Sequence, residues 1–453
     1  MRRAPRELKV ELGIIKPTEV ADGIAKLNEK HAVVMLGGKC VVLNEVEDPV
    51  FHRPDITFSS PTDFKTKYAN KKVKVENSNG EQKSHCIANV WMEDGRRREY
   101  EGIVFSPGQS VPKYYNLYRG LAVTPKKGDW SLLKSHLEQN ICGGVAVYSE
   151  YLLDWMADAV QNPGGLRSGV SVVLRGGRGT GKGLFATSFG KIFGSHFLHL
   201  RDQNHLVGRF NSHHKDALVL FADECFWAGN KTSEGLLKAL ITEETIQIEA
   251  KGKDPITVQN HIRLIVASND DWVIPAGLDE RRFFCLDVRE SHKQDISYWN
   301  PIWEETRRGG ISAMLHDLME RQYDPIALRT PPRTWALVAQ IEHSMTSVQR
   351  WWYECLSEGS LTRHDLLWDD KVSTEKLHTD YLEHCEKCNE RYPESRAIFG
   401  KSLRRICNVL PVRLPPEVYG GRRSMGFKIP ELDDCRAQFD VLIGVKLNWE
   451  LSG

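Results

Sequence analysis

The chain has 453 residues, of which 61 are Lys or Arg and 60 are Asp or Glu, so its net charge is +1. That balance excludes a wholly basic nucleic-acid coat and an acidic disordered tract, and any nucleic-acid surface must be a local patch. Hydrophobic residues make up 41 % of the chain, and this length accommodates about two or three packed domains. No apolar run is long enough to cross a membrane, the N-terminus lacks the apolar centre of a secretory signal, and ten Cys stand without a framework. These features predict a cytoplasmic chain with free thiols and no membrane partner.

Residues 1–90 read as a mixed α+β region without a legible role. VVML (33–36), CVVL (40–43) and KVKVE (72–76) are strand-like, and GG (37–38) and NSNG (77–80) are turns. Residues 91–168 predict a helical lead-in, with helices over 129–141 and 150–161, the second ended by QNPGG (161–165). Across 169–350 five short apolar runs alternate with helices: GVSVVLR (169–175), HFLHL (196–200), ALVLFAD (217–223), RLIVAS (263–268) and FFCLDV (283–288). That alternation predicts an α/β core with a mostly parallel sheet. TIQIEA (245–250) and ITVQNH (256–261), joined by KGKDP (251–255), predict a β-hairpin with Lys251 and Lys253 at its tip. A linker-like zone, SEGSLTRHDLLWDD (357–370), precedes a C-terminal unit over 371–453.

The strongest chemical signal is LRGGRGTGKG (174–183), which follows a strand and opens a helix. A phosphate cradle needs backbone N–H groups turned toward one anion, and glycines permit that turn. Gly176, Gly177, Arg178, Gly179, Thr180, Gly181, Lys182 and Gly183 form the candidate cradle, with Lys182 placed for the β- and γ-phosphates. The Walker A pattern ends in Ser or Thr, whose hydroxyl holds Mg²⁺; here Gly183 stands there, and Thr180, Thr187 or a water is left to substitute. LVLFADE (218–224) is an apolar strand ending in two carboxylates, Asp223 for Mg²⁺ through water and Glu224 for the attacking water. RLIVASND (263–270) places Asn269 at a strand end as a polar sensor, and LDERRFFCLDV (278–288) places Arg281 and Arg282 as candidate arginine fingers. Taken singly, each of these three is more ordinarily a surface or capping residue.

Walker A, acidic pair, hairpin, Asn and Arg pair follow one another within about 110 residues. In that order the chain resembles the superfamily 3 helicases, a compact branch of the AAA+ ATPases, and within them the helicase part of phage and plasmid primase-helicases. The resemblance spans roughly residues 90–430 and rests on IVFSPG (103–108), NLYRGLAV (116–123), YLLDWMADAVQNP (151–163), GTGKG (179–183), VGRFN (207–211), KALITEETIQIEAKG (238–252), GGISAMLHDL (309–318) and PPRTWAL (331–337). It implies an ATP-driven, Mg²⁺-dependent ring, commonly a hexamer, translocating on single-stranded DNA. The hairpin would be its pore loop, and Lys251 and Lys253 would grip phosphates. Residues 1–90 carry no Asp-x-Asp pair on a strand, so priming is expected of a separate primase or polymerase.

The C-terminal unit is basic. Residues 396–428 hold Arg396, Lys401, Arg404, Arg405, Arg413, Arg422, Arg423 and Lys428 against one acid, Glu417. A helix followed by a basic hairpin resembles a winged helix, which would dock forked or duplex DNA; a solvated basic face is the equal alternative. A second basic stretch, 65–98, reads as a solvated face. HCEKC (384–388) suggests zinc, but no second CxxC exists, and His378 and Cys407 complete a site only by unusual geometry. The resulting expectation is an ATP-dependent DNA helicase. The rivals are an ATP-binding assembly factor without unwinding, and an RNA-directed ATPase.

Overall fold

The computed structural model of the protein describes residues 19–49, 54–76, 82–224, 231–249, 251, 255–364, 368–415 and 424–449. The N-terminal unit comprises α1 (Glu19–Lys30), β1 (His31–Leu36), β2 (Lys39–Glu47), β3 (Pro54–Ser59), α2 (Pro61–Lys67), β4 (Lys72–Glu76), β5 (Gln82–Cys86), α3 (Ile87–Glu93) and β6 (Glu99–Tyr100). β1 and β2 form a hairpin about Gly37 and Gly38, both at positive φ, as a two-residue primed turn requires. The turn expected at 77–80 lies outside the described residues. β6 pairs with β1, β7 (Gly102–Val104) pairs in parallel with β8 (Tyr114–Asn116), and Tyr115 and Leu117 pack against Val34 and Leu43. This unit therefore runs past residue 90, which lies inside α3. After α3, the helical lead-in expected over 91–168 starts only at α4 (Ser131–Ser135), a π-helical segment (His136–Ile141) and α5 (Ala146–Gln161).

The central layer alternates as expected: β9 (Ser171–Arg175), α6 (Lys182–Lys191), β10 (Phe197–Leu200), α7 (Gln203–Val207), β11 (Val219–Asp223), α8 (Lys231–Thr242), the hairpin β12 (Thr245–Ile248) and β13 (Ile256–Gln259), β14 (Arg263–Ser268) and β15 (Phe283–Asp287). Five strands make one parallel sheet in the order β10-β11-β14-β9-β15. The alternation of side chains sends Val172, Leu174, Phe284 and Leu286 to one face, with α5 and α6. Val173, Phe283 and Cys285 go to the other, with α8. Covering both faces explains why the strands read as continuous apolar runs rather than alternating ones.

Arg263 breaks that run, and it is buried. Its guanidinium lies 2.8 Å from Asp158 on α5 and also donates to the Asn162 carbonyl. Tyr323 Oη meets the second Asp158 oxygen at 3.2 Å. The pair ties α5 to the sheet, and removing one partner costs about 3–5 kcal/mol.

Beyond the sheet come α9 (Ile296–Glu305), α10 (Ile311–Glu320), α11 (Trp335–Ser344) and α12 (Ser347–Glu358). The C-terminal unit has β16 (Lys371–Ser373), α13 (Thr374–Lys387), α14 (Arg396–Ile406), β17 (Leu410–Leu414), β18 (Ser424–Lys428) and α15 (Leu432–Ile443), with strand order β16-β18-β17. Its core is continuous with one face of the central sheet through α11 and α12, where Trp351 meets Tyr381 and Phe399 and Trp352 meets Trp368. The linker expected at 357–370 is thus a correction. Leu361 and Thr362 are buried, the Arg363 N–H donates to Asp380, and Trp368 Nε1 donates to the Pro430 carbonyl. Polar composition misled there, because the polar groups are spent on hydrogen bonds within the fold. Among the described residues no helix is long and apolar enough to cross a membrane.

Candidate functional site

The glycine-rich loop joins the C-terminal end of β9 to the first turn of α6. In parallel sheets the carboxyl ends of the strands, at a switch in strand order, are where ligands sit. β9 is such a point, flanked by β14 and β15. Gly181 has φ +95, and a Cβ there would collide with the His136 ring and lie 2.8 Å from Trp299. Only glycine fits. At Gly183 the opposite holds, because a Cβ would meet nothing within 4 Å.

Lys182 is 7 % exposed, and its ammonium is folded back into the loop. It donates to the Gly176 carbonyl, to the Gly177 carbonyl at 2.8 Å and to Asn269 Oδ1 at 3.0 Å. All three protons are thereby used. Burial holds Lys182 below its ordinary pKa, opposed by the charges of Glu224 and Asp223. Asn269 turns its amide the other way and donates to Glu224 Oε1. Lys182 at the start of α6, with Asn269 and Glu224 from two strand ends, therefore forms one chain of contacts.

Glu224 has a left-handed backbone, φ +53, which costs a non-glycine residue about 1–2 kcal/mol. Its N–H is held by the Ala267 carbonyl at 2.9 Å. Arg178 reaches its carboxylate at 4.0 Å. Asp223 is held by His199 Nε2 at 2.9 Å and by Arg201 at 3.8 Å.

Both threonines donate their hydroxyl protons to the backbone, which leaves each oxygen's lone pairs for a cation. Thr180 Oγ1 donates to the Gly177 carbonyl at 2.9 Å, and Thr187 Oγ1 to the Gly183 carbonyl at 2.6 Å.

Arg281 and Arg282 stand elsewhere. β15 runs parallel to β9 with Phe283 opposite Ser171, so both arginines lie at the amino end of the sheet, the end away from the glycine loop. Arg282 is tied to the buried Glu280 at 3.2 Å, and that carboxylate also accepts both arginine backbone N–H groups. Arg281 is exposed, and its guanidinium has no hydrogen-bond or ion-pair partner among the described residues. Lys251, at the hairpin tip, is exposed; Lys253 lies outside the described residues.

Several participants had no signal in the sequence. Glu290 Oε1 accepts the Gly177 N–H at 3.1 Å, an anion on the loop where a phosphate oxygen would sit. Asn140 Nδ2 donates to the Thr180 carbonyl at 2.8 Å, and His136 backs Gly181 while bonding Tyr298 Oη at 3.0 Å. Burial pushes His136 down to about 4. His136 and Asn140 come from the π-helical segment, whose wider turn re-aims side chains. Their distance in sequence from the loop hid them.

Among the described residues the zinc reading finds no closed ligand set. Glu354, His384 and Cys388 approach one another, but Arg363 donates to His384 Nδ1 at 2.9 Å and to Glu354 at 3.3 Å, placing a cation where an ion would be. Cys407 lies 3.5 Å from Cys435, and His378 bonds the Glu394 carbonyl.

Residues 174–282 match a family of unknown function, DUF5906. Over 200 residues the chain is 28 % identical to a DNA primase-polymerase of Nitratiruptor phage NrS-1, covering 43 % of this chain and 27 % of that protein. The chain thus matches about a quarter of the length of that curated relative. Two apo structures of the NrS-1 C-terminal region superpose with TM-scores of 0.63 and 0.64, at 16 % and 15 % identity. They cover 91 % and 92 % of this chain and 99 % and 100 % of theirs. At that identity the likeness is one of fold, and it extends over nearly the whole chain.

Proposed function

We propose that this chain is an ATP-hydrolysing DNA helicase or translocase of phage or plasmid replication, with a P-loop core of the superfamily 3, AAA+ type. The observation that carries the reading is the Asn269 side chain, which joins Lys182 to Glu224. A lysine for phosphate charge and a carboxylate for a water, bridged by one amide at the carboxyl ends of parallel strands, suit phosphoryl transfer to water. The similarity to a phage primase-polymerase supports a replication enzyme acting on DNA.

The residues present fit a nucleoside triphosphate. The loop N–H groups from Gly176 to Gly183 and the amino end of α6 would receive its phosphates. Lys182 would exchange the loop carbonyls for phosphate oxygens. Glu224 would take the proton of a water that Asn269 orients. Asp223 is the carboxylate that would hold Mg²⁺ through water, and Mg²⁺ when bound neutralises phosphate charge. Arg281 would serve the site of a neighbouring subunit, which calls for a closed ring, a hexamer by resemblance. The β12–β13 hairpin, with Lys251 and Lys253, would contact single-stranded DNA in the bore through phosphates, independent of sequence. Such a ring would work in the host cytoplasm beside a separate primase or polymerase.

The test is ATP turnover with and without single-stranded DNA, for wild type, Lys182→Ala and Glu224→Gln. DNA-stimulated turnover lost in both variants supports the reading, and wild-type turnover by Lys182→Ala overturns the site. The second reading, an ATP-binding assembly factor, draws on Gly183 in place of the hydroxyl residue of the pattern. It is favoured by tight ATP binding without DNA-stimulated turnover. Competition between DNA and RNA strands separates the RNA-directed alternative.

A further inference from the structure

The C-terminal unit concentrates positive charge on one helix and one hairpin. On α14, Phe399, Leu403 and Ile406 are buried, whereas Arg396, Ile398, Lys401, Arg404 and Arg405 are exposed. Ile398, Lys401 and Arg405 are spaced i, i+3 and i+7, so they form one stripe on the outer face. The helix carries no acid. Arg404 has a local explanation, because its Nε donates to the Gly400 carbonyl at 3.2 Å near the helix end. Lys401, Arg405 and Arg413 have no ion-pair partner among the described residues.

The strand register sorts the hairpin's charges. Arg413 pairs with Met425 and Pro411 with Phe427, so these four residues share a face. Phe427 belongs to the face turned toward α14, since its Cζ lies 3.3 Å from the position of a Cβ at Gly400. Arg413 and Met425 therefore continue that same face outward, past the helix. Lys428 pairs with Leu410 and lies on the opposite face. Of the eight cations that look alike in sequence, Arg422 and Arg423 lie outside the described residues, and the other six are not one patch.

We propose that α14 enters the major groove of B-form duplex DNA, with Lys401, Arg405 and Ile398 toward the groove and Arg413 on the flanking backbone phosphates. The helix–strand–helix–helix–hairpin order, with strands β16-β18-β17, is winged-helix-like, and it sets α14 against Phe427 of the hairpin with its basic outer face exposed. An α-helix about 10–12 Å across matches a groove about 12 Å wide. The major groove of A-form RNA is too narrow to admit it. Binding to single strands relies on stacked aromatics, yet the exposed large apolar residues of α14, β17 and β18 are Ile398, Leu410 and Met425, all non-aromatic.

The experiment uses the full chain without nucleotide and reads fluorescence anisotropy on a duplex of about two helical turns. Because no ATP is present, loss of turnover at Lys182 and loss of duplex binding are separate failures. Lys401→Ala/Arg405→Ala is expected to weaken binding at least tenfold and to flatten the salt dependence by about two phosphates. Arg413→Ala should flatten it by about one. Lys428→Ala, equal in charge but on the other face, should stay within twofold. The proposal is overturned by unchanged binding in the double variant, by equal losses in Arg413→Ala and Lys428→Ala, by equal competition from duplex RNA, or by no duplex binding of the wild type at about 50 mM salt.

Discussion

The two ends of the parallel sheet are built differently. At the carboxyl end, Lys182, Asn269 and Glu224 hold one another, and His199 holds Asp223. At the amino end, Arg282 and Glu280 hold each other and Arg281 holds nothing among the described residues. Under the proposed function, one end has its groups organised in advance for a ligand of this chain. The other presents a lone cation that a strand of five residues, rising about 3.3 Å each, separates from that ligand. The proposed function accounts for the difference by a site shared between molecules, one supplying the cradle and the next supplying Arg281.

The hardest blow to this contrast falls on the carboxyl end. Lys182→Ala should abolish ATP turnover and leave Asn269 bonded to Glu224 alone. Turnover assays beside a melting curve separate lost chemistry from lost fold. If turnover survives, the glycine loop is only a strand–helix turn.

At the amino end, Arg281→Ala should lower turnover about a thousandfold, the lower range for an arginine finger, while ATP binding persists. Mixing Arg281→Ala with Lys182→Ala protomers should restore part of the activity, since each supplies what the other lacks. Failure to complement would place Arg281 outside a shared site. Arg282→Ala should leave turnover near wild type and lower stability by about 1–3 kcal/mol, because buried Glu280 loses a partner.

Legibility followed the same division. The parallel sheet, the loop, the acidic pair and the Asn strand end could all be read because each motif is local, an apolar run ended by a polar residue. The N-terminal boundary could not, because β6 and Tyr115 join their sheet and core through contacts far from them in sequence. Glu290, His136 and Asn140 reach the loop from distant segments with no spacing to announce them. The role of each arginine at 281–282 also needed the fold, because neighbours in sequence have different partners in space.

Acid should weaken the carboxyl end with the rest of the core. Burial holds His136, His214 and His261 each down to about 4. The unfolded chain binds protons at these imidazoles near their ordinary value while the folded chain does not. Stability is therefore full above about pH 6.5 and falls toward pH 4 by up to 1.4 kcal/mol per unit for each imidazole. Calorimetry between those limits checks it, and a midpoint that does not move shows these imidazoles are solvated. His136→Gln should shrink the fall, because that position then no longer titrates.

The smallest expected effect bears on whether the carboxyl end is complete. Gly183 lacks the hydroxyl that a Mg²⁺ site of this pattern carries, yet packing does not forbid one, since a Cβ there would meet nothing within 4 Å. The position is the second residue of α6, where serine is tolerated and even relieves the entropy cost of glycine. Gly183→Ser should therefore fold with unchanged or slightly raised stability. Under the hydrolysing reading it should lower the Mg²⁺ concentration for half-maximal turnover a few-fold, with little change at saturation, because it adds one ligand to a site already anchored by Asp223. Under the assembly-factor reading it should instead create turnover where wild type has almost none. A titration of turnover against Mg²⁺ thus distinguishes a site that does without the hydroxyl from one that is disabled by its loss.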